Sequence, residues 1–206
     1  NRGPEDGHVV AVLLFGVVNP SGKLPTSYPV SDSDTLYAGH PERYPGTDEG
    51  DGYPVIRYSE GLQMGYRWYQ VQQLRPLFGF GHGLSYTTFD LNEVGIEAPN
   101  GVADPVTVTA TVTNTGSVAG AQVVQVYLGI PADGQPPKRL VGFCKVRLQP
   151  GETQRVCITI DPQATSHPFS VWDYPTRGFV IGSGTYTVYV GTSADDTPHR
   201  ATITVG

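Results

Sequence analysis

The chain has 206 residues, 38% hydrophobic and 16% charged, with 26 Gly and 18 Pro. Frequent breakers and modest charge point to a β-rich globular protein and away from a helical bundle. The formal charge of −6, with 13 Lys and Arg scattered along the chain, excludes a basic nucleic-acid-binding stripe. No apolar run approaches the roughly 20 residues needed to cross a bilayer, and no signal-peptide pattern is seen. The chain starts at Asn1, with an apolar run soon after. It reads as a piece of a longer or processed protein, and its localisation stays unknown.

In chain order, "EDGHVVAVLLFG" is apolar almost all round from Val9 to Phe15. That predicts a buried helix stopped at Gly16. "NPSGKLP" predicts a turn followed by a short extended segment. Residues 30–55 have no periodicity and carry Pro41, Pro45 and Pro54, so a long loop is expected. "SEGLQMGYRWYQ" predicts a short helix with Ser59 as N-cap and Glu60 in its first turn.

From about residue 89 the pattern changes to short alternating runs between turn signals. Strands are expected at Phe89–Ala98, Val106–Asn114, Ala121–Ile130, Leu140–Leu148, Thr153–Ile160, Phe169–Trp172, Thr185–Gly191 and Arg200–Val205. Short strands at this density in just over 100 residues predict an immunoglobulin-like sandwich of the fibronectin type III kind. The two cysteines, Cys144 and Cys157, fall on opposite strand faces if the apolar sets around them share one core, which predicts free thiols. No CxxC or Cys/His cluster suggests a metal site.

Several motifs invite a chemical reading. "FGFGHGLSY" has glycines at alternate positions, but the β-prone "YTTFDL" follows instead of the helix a phosphate loop needs. Ser85 beside His82 lacks the G-x-S-x-G turn of a hydrolase nucleophile. The stretch reads as a connector, with Phe78, Phe80, Tyr86 and Phe89 packed at a seam between two parts. Glu60 is the best-placed carboxylate, with Asp48, Glu49 and Asp51 as possible partners; its plain reading is a helix N-terminal acid. "SDSD" and "TDEGDG" lack the EF-hand spacing and read as solvated loops. Tyr66, Trp68 and Tyr69 could stack on a sugar, yet at near-helical spacing they read more simply as core. Trp172 reads as a sandwich-core or edge residue.

Six stretches in this order, "LFG…NPSGKLP", "YSEGLQMGYRWY", "PLFGFGHGLSYTTF", "TVTNTGSVAGAQVVQVYL", "KRLVGFCKVRLQPGE" and "GTYTVYVGTSADD", resemble the C-terminal part of glycoside hydrolase family 3, the β-glucosidase and β-xylosidase family. The resemblance implies a mostly β fold. Residues 1–88 would be the C-terminal remnant of an α/β sandwich domain carrying the long loop 30–55. Residues 89–206 would be a fibronectin type III-like β-sandwich. It also implies retaining hydrolysis by an Asp nucleophile and a Glu acid/base, both upstream of "NPSGKLP" in the family. No catalytic residue carries over to this chain; Glu60, Tyr66 and Trp68 remain as substrate-binding candidates. The family commonly has acids where Val12 and Val17 stand, and Pro where Gly79 stands.

No cofactor or metal is implied. The implied partners are the catalytic N-terminal domains, of the same or another chain, and a β-glycoside or oligosaccharide substrate; no nucleic acid or membrane is implied. Two functions stay open: a structural portion of such a hydrolase, inactive alone, and a stand-alone carbohydrate- or protein-binding module. An exposed row of aromatics on one strand face would favour the second, whereas Tyr127, Phe143, Tyr186 and Tyr189 are singly spaced. Residues 1–88, with one apolar helix and little sheet, would need either a partner or the sandwich to lie against.

Overall fold

A computed structural model describes residues 5–99 and 101–206. The first element is helix α1 (Asp6–Leu14). Phe15 closes it by donating its N–H to Ala11 O at 3.0 Å, and Gly16 follows with φ of 71°. The helix forms as expected, but its predicted burial does not hold: none of its residues is buried, and Phe15 just beyond it is 84% exposed. An apolar helix needs a sheet to lie on, and the described residues supply none there.

Residues 30–55 are not featureless. A 3₁₀ turn spans Asp32–Asp34, and β1 (Thr47–Asp48) pairs antiparallel with β2 (Pro54–Val55). The next helix, α2 (Tyr66–Val71), starts later than the sequence suggests. Ser59 is not its N-cap and Glu60 is not in its first turn. Gly61 and Gly65, both at φ of 58°, hold the chain in turns, and Gly65 takes the cap position.

The strands follow: β3 (Phe89–Glu97), β4 (Val106–Asn114), β5 (Gly120–Gly129), β6 (Arg139–Leu148), β7 (Thr153–Ile160), β8 (Ser170–Asp173), β9 (Gly178–Ile181), β10 (Gly184–Gly191) and β11 (His199–Val205). They build a three-stranded sheet ordered β3-β4-β7 and a four-stranded sheet ordered β11-β10-β5-β6. Strands β8 and β9 form a separate two-stranded ribbon. The ribbon's second strand was not expected from sequence. Trp172 lies on it, half exposed, and not in the sandwich core.

Alternation explains the core. Val106, Val108, Ala110 and Val112 of β4 point inward with Val156, Ile158 and Ile160 of β7. They meet Val124, Val126, Leu128, Val146, Leu148, Val188 and Val190 of the facing sheet. Each such Val, Leu or Ile side chain contributes about 1.5–3 kcal/mol through burial. Cys144 packs partly against this core while Cys157 is exposed, and both are free thiols.

Strand β5 is buried on both faces from Val124 to Leu128. Its inner face is the core; its outer face carries Gln125 and Tyr127. Against that outer face lies the chain around Phe80, which answers where part of the first segment rests. Tyr66 packs between Phe80, tilted at 4.9 Å, and Tyr127, edge-on at 5.8 Å. Ala194 donates its N–H to Phe80 O at 2.9 Å, and Lys145 Nζ donates to Ser21 Oγ at 2.8 Å. The predicted aromatic seam is therefore half right. Phe80 and Phe89 are partly buried, but Phe78 and Tyr86 are exposed.

Candidate functional site

The glycine-rich connector is shaped by close approach. At Gly81, φ is 83° and a Cβ would lie 2.7 Å from the Gln125 amide, so only glycine fits. Gln125 in turn donates to Thr192 O at 2.6 Å and accepts from Tyr127 Oη at 2.6 Å. Ser85 Oγ donates to Asn19 Oδ1 at 3.0 Å, whereas the His82 ring packs on Phe78 at 5.2 Å. The two side chains thus serve different neighbours.

The 30–60 segment is organised by Arg43, a residue the sequence did not single out. Its Nη1 donates to Leu36 O at 2.6 Å and its Nε to Ser59 Oγ at 2.8 Å. Ser59 Oγ donates onward to Glu42 Oε1 at 3.0 Å. The guanidinium lies over the Trp68 ring at 5.6 Å, a favourable cation–π placement. Trp68 Nε1 donates to Asp34 O at 3.1 Å, which fastens α2 to the 3₁₀ turn.

Glu60 is buried beside this group. Its Oε2 lies 3.8 Å from Arg43 Nε and accepts no hydrogen bond. Glu42 Oε1 sits 3.1 Å from His40 Nδ1. The Glu42 carboxyl is held below the usual carboxylate range, first by its own backbone N–H, then by Ser59 and His40, against some burial.

Of the three sequence candidates, Glu60 and Trp68 meet through Arg43. Tyr66 does not join them; its hydroxyl accepts the Leu140 N–H at 2.8 Å across the seam. Tyr69 is buried, and desolvation raises its pKa. The proposed carboxylate partners of Glu60 are occupied in the β1–β2 hairpin. Asp48 Oδ1 accepts the Gly50 and Gly52 N–H groups at 2.8 and 3.1 Å. Those bonds, Gly50 first, hold its carboxyl below the usual range. Asp51 Oδ1 accepts Tyr53 N–H at 3.0 Å, and Glu49 pairs with Arg57. A retaining pair needs two carboxylates about 5–5.5 Å apart across a sugar; here Glu60 Oε2 and Glu42 Oε1 each lie 3.8 Å from Arg43 Nε, so the cation occupies the space between them. The arrangement can hold a loop in place, with both carboxylates engaged by Arg43, Ser59 or His40.

Comparison with known proteins covers nearly the whole chain. A family model described as the glycosyl hydrolase family 3 C-terminal domain matches residues 1–86, and a fibronectin type III-like domain model matches residues 122–194. A probable beta-glucosidase I of Aspergillus fumigatus is 40% identical over 203 residues, covering 94% of this chain and 23% of its own length. A probable beta-glucosidase H of Neosartorya fischeri is 42% identical over 202 residues, covering 96% of this chain and 23% of its own. Among solved structures, DesR, a beta-glucosidase from Streptomyces venezuelae in complex with D-glucose, superposes with a TM-score of 0.87 at 38% identity, over 98% of this chain and 25% of that one. A Bifidobacterium adolescentis GH3 beta-glucosidase gives 0.85 at 34% identity, over 97% and 28%. The chain spans about a quarter of the length of these relatives.

Proposed function

This chain belongs to glycoside hydrolase family 3, matching the C-terminal part of its members, and from that premise we propose that it is the structural C-terminal portion of a β-glucosidase-like enzyme. The whole enzyme would cleave β-linked glycosides or oligosaccharides by retention, using two carboxylates supplied upstream. That chemistry calls for no metal or cofactor. The division would fall near residue 88, with 1–88 completing an α/β domain and 89–206 forming the fibronectin type III-like sandwich.

The observation that carries this reading is the bare apolar face around α1. Val9, Val10, Leu14, Phe15, Val17 and Val18 are all exposed. A contiguous apolar surface of this kind is normally covered by another part of a protein. The catalytic N-terminal domains, as the same or a partner chain, would supply that cover. The Arg43 group would hold the 30–60 segment in a fixed shape against them.

An aryl β-glucoside assay tests the proposal. The 206-residue polypeptide alone should release no product, and the longer enzyme that carries it should. Turnover by the polypeptide alone would overturn it, as would a longer enzyme inert on every β-glycoside offered.

A further inference from the structure

Two arginines share a cleft that lies at the edge of the sandwich, beside α2. It measures about 600 Å³. Its wall takes Arg67 from α2, Arg139 and Phe143 from β6, Thr159 from β7 and Ser166 from the loop before β8. Among the described residues no Asp or Glu lines it, and neither arginine forms an ion pair. Both arginines are half-buried.

Each guanidinium is held in place. Arg139 Nη2 donates to the carbonyls of His167, Pro168 and Ser170 at 2.8, 2.7 and 2.8 Å, and its Nε donates to Pro168 O at 3.2 Å. Its Nη1 donates to no described residue. Arg67 lies over the Tyr66 ring at 5.8 Å, a cation–π contact, and its side chain makes no hydrogen bond among the described residues. Stapling residues 167–170 explains Arg139. It does not explain a second guanidinium beside it. Burial first, then the Arg67 charge, pushes the Arg139 pKa down, yet an arginine keeps its charge. The two like charges therefore repel across a partly desolvated cleft, and a doubly charged anion would relieve them both.

We propose that this cleft binds a small phosphate monoester, with Arg67 and Arg139 Nη1 donating to the phosphate oxygens and the organic body lying along Phe143. Charge count selects the group. Two unpaired cations call for two negative charges. A phosphate monoester carries about −1.5 to −2 at neutral pH on three acceptor oxygens, whereas a lone carboxylate supplies a single charge. Guanidinium forks also match phosphate geometry. Volume selects the body: the cleft falls within the roughly 300–1,000 Å³ of small-molecule sites and is far larger than a bare phosphate needs. Phe143, 67% exposed, gives that body an apolar surface. Held guanidinium groups lose little side-chain freedom on binding.

Isothermal titration of the 206-residue polypeptide, in a low-salt chloride buffer near neutral pH, tests this with phenyl phosphate, inorganic phosphate and benzoate as probes. Phenyl phosphate should bind about tenfold more tightly than benzoate, which carries the same ring with one charge. It should also bind more tightly than inorganic phosphate, which lacks the ring. Arg67→Ala should weaken phenyl phosphate about tenfold while keeping the wild-type Tm. Arg67→Lys should recover only part of that, because it keeps the charge without the fork. Arg155→Ala, which removes an exposed arginine of β7 outside the cleft, should bind as wild type. No saturable binding of phenyl phosphate, wild-type affinity in Arg67→Ala, or an Arg155→Ala loss as large as that of Arg67→Ala would overturn the proposal. Benzoate matching phenyl phosphate would remove the charge argument, and inorganic phosphate matching it would show that no ester body is read; either result sinks the assignment. So would binding by the polypeptide that is lost in the longer enzyme, because the arginines would then face an acidic group of the preceding domains.

Discussion

Tyr66 and Leu140, 74 residues apart in sequence, are joined by a 2.8 Å hydrogen bond from the Leu140 N–H to the Tyr66 hydroxyl. The bond falls where the β5–β6 register shifts: Val126 pairs with Gly142 but Tyr127 with Leu140, leaving Val141 as an extra residue. Such a bulge bends the strand and disturbs its ladder. Tyr66 takes up a backbone donor at this place and carries α2 onto the outer sheet face. Tyr66→Phe keeps the ring contacts with Phe80 and Tyr127 and loses only the acceptor. It should lower stability by about 1–2 kcal/mol, read by urea unfolding, and should speed proteolytic cutting near residue 65. An unchanged midpoint would mean the seam is held elsewhere.

Arg43→Ala should cost more than Tyr66→Phe. It removes the cation beside the buried Glu60 carboxylate and the donors to Leu36 O and Ser59 Oγ. Breaking a buried pair typically costs about 3–5 kcal/mol; Arg43 keeps slight solvent contact, so about 2–4 kcal/mol is expected here. The double variant Arg43→Ala with Glu60→Gln should recover part of the loss, since the buried Glu60 charge is then gone and Glu42, partly exposed, keeps Ser59 and His40. A double variant as unstable as the single one would show that the loss lies in the neutral hydrogen bonds.

Asn114 ends β4 fully buried and with every polar atom engaged. Its Oδ1 accepts from Thr87 Oγ1 at 2.6 Å and Gly116 N at 3.1 Å; its Nδ2 donates to Val118 O at 2.9 Å and Leu148 O at 3.2 Å. Asn114→Ala strands several of these partners and should cost about 2–4 kcal/mol. Thermal melting would check it, and a shift within error would contradict the assigned role.

Asp195 gives a pH test. Desolvation raises its carboxyl pKa above the ordinary 3.8, offset in part by Lys138, Arg75 and His82. A raised folded pKa means that the fold favours the protonated form. Its stabilising contribution is present at low pH and is lost as pH rises from about 3.8 through the folded value. Asp195→Asn should therefore gain stability relative to wild type over that window and hold a constant difference above it. Because the residue keeps contact with solvent while its carboxyl lies against Gly79, the gain should be small. Unfolding curves at a series of pH values would reveal it, and a relative loss on raising pH would contradict the sign.

The sandwich was legible because its residues alternate. The bounds of β4 and β7 agree with expectation, since Val, Ala and Ile at every second position leave one register available. Strand β9 was missed because "GFVI" is short, does not alternate and directly follows the turn at Pro175. Helix α1 was legible as a helix, but its exposure was not, because an all-apolar surface says that cover is needed and not where it is. Arg43 gave no signal: a single arginine in an aperiodic stretch looks like any surface charge, and its importance arises only when Ser59, Glu60 and Trp68 fold back around it. The same holds for the ribbon, where Trp172 and Phe179 become neighbours through a turn that the sequence shows only as "YPTR".

Strand β5, covered from both sides, limits how the molecule can be subdivided. A fragment trimmed to begin at Phe89 would keep every strand of the sandwich yet leave Tyr127 and Gln125 wet, without Tyr66, Phe80 and Gly81 above them. Anyone harvesting that half as a soluble module should anticipate self-association through the stripped face, and would do better to retain the connector or replace Tyr127 with a polar side chain.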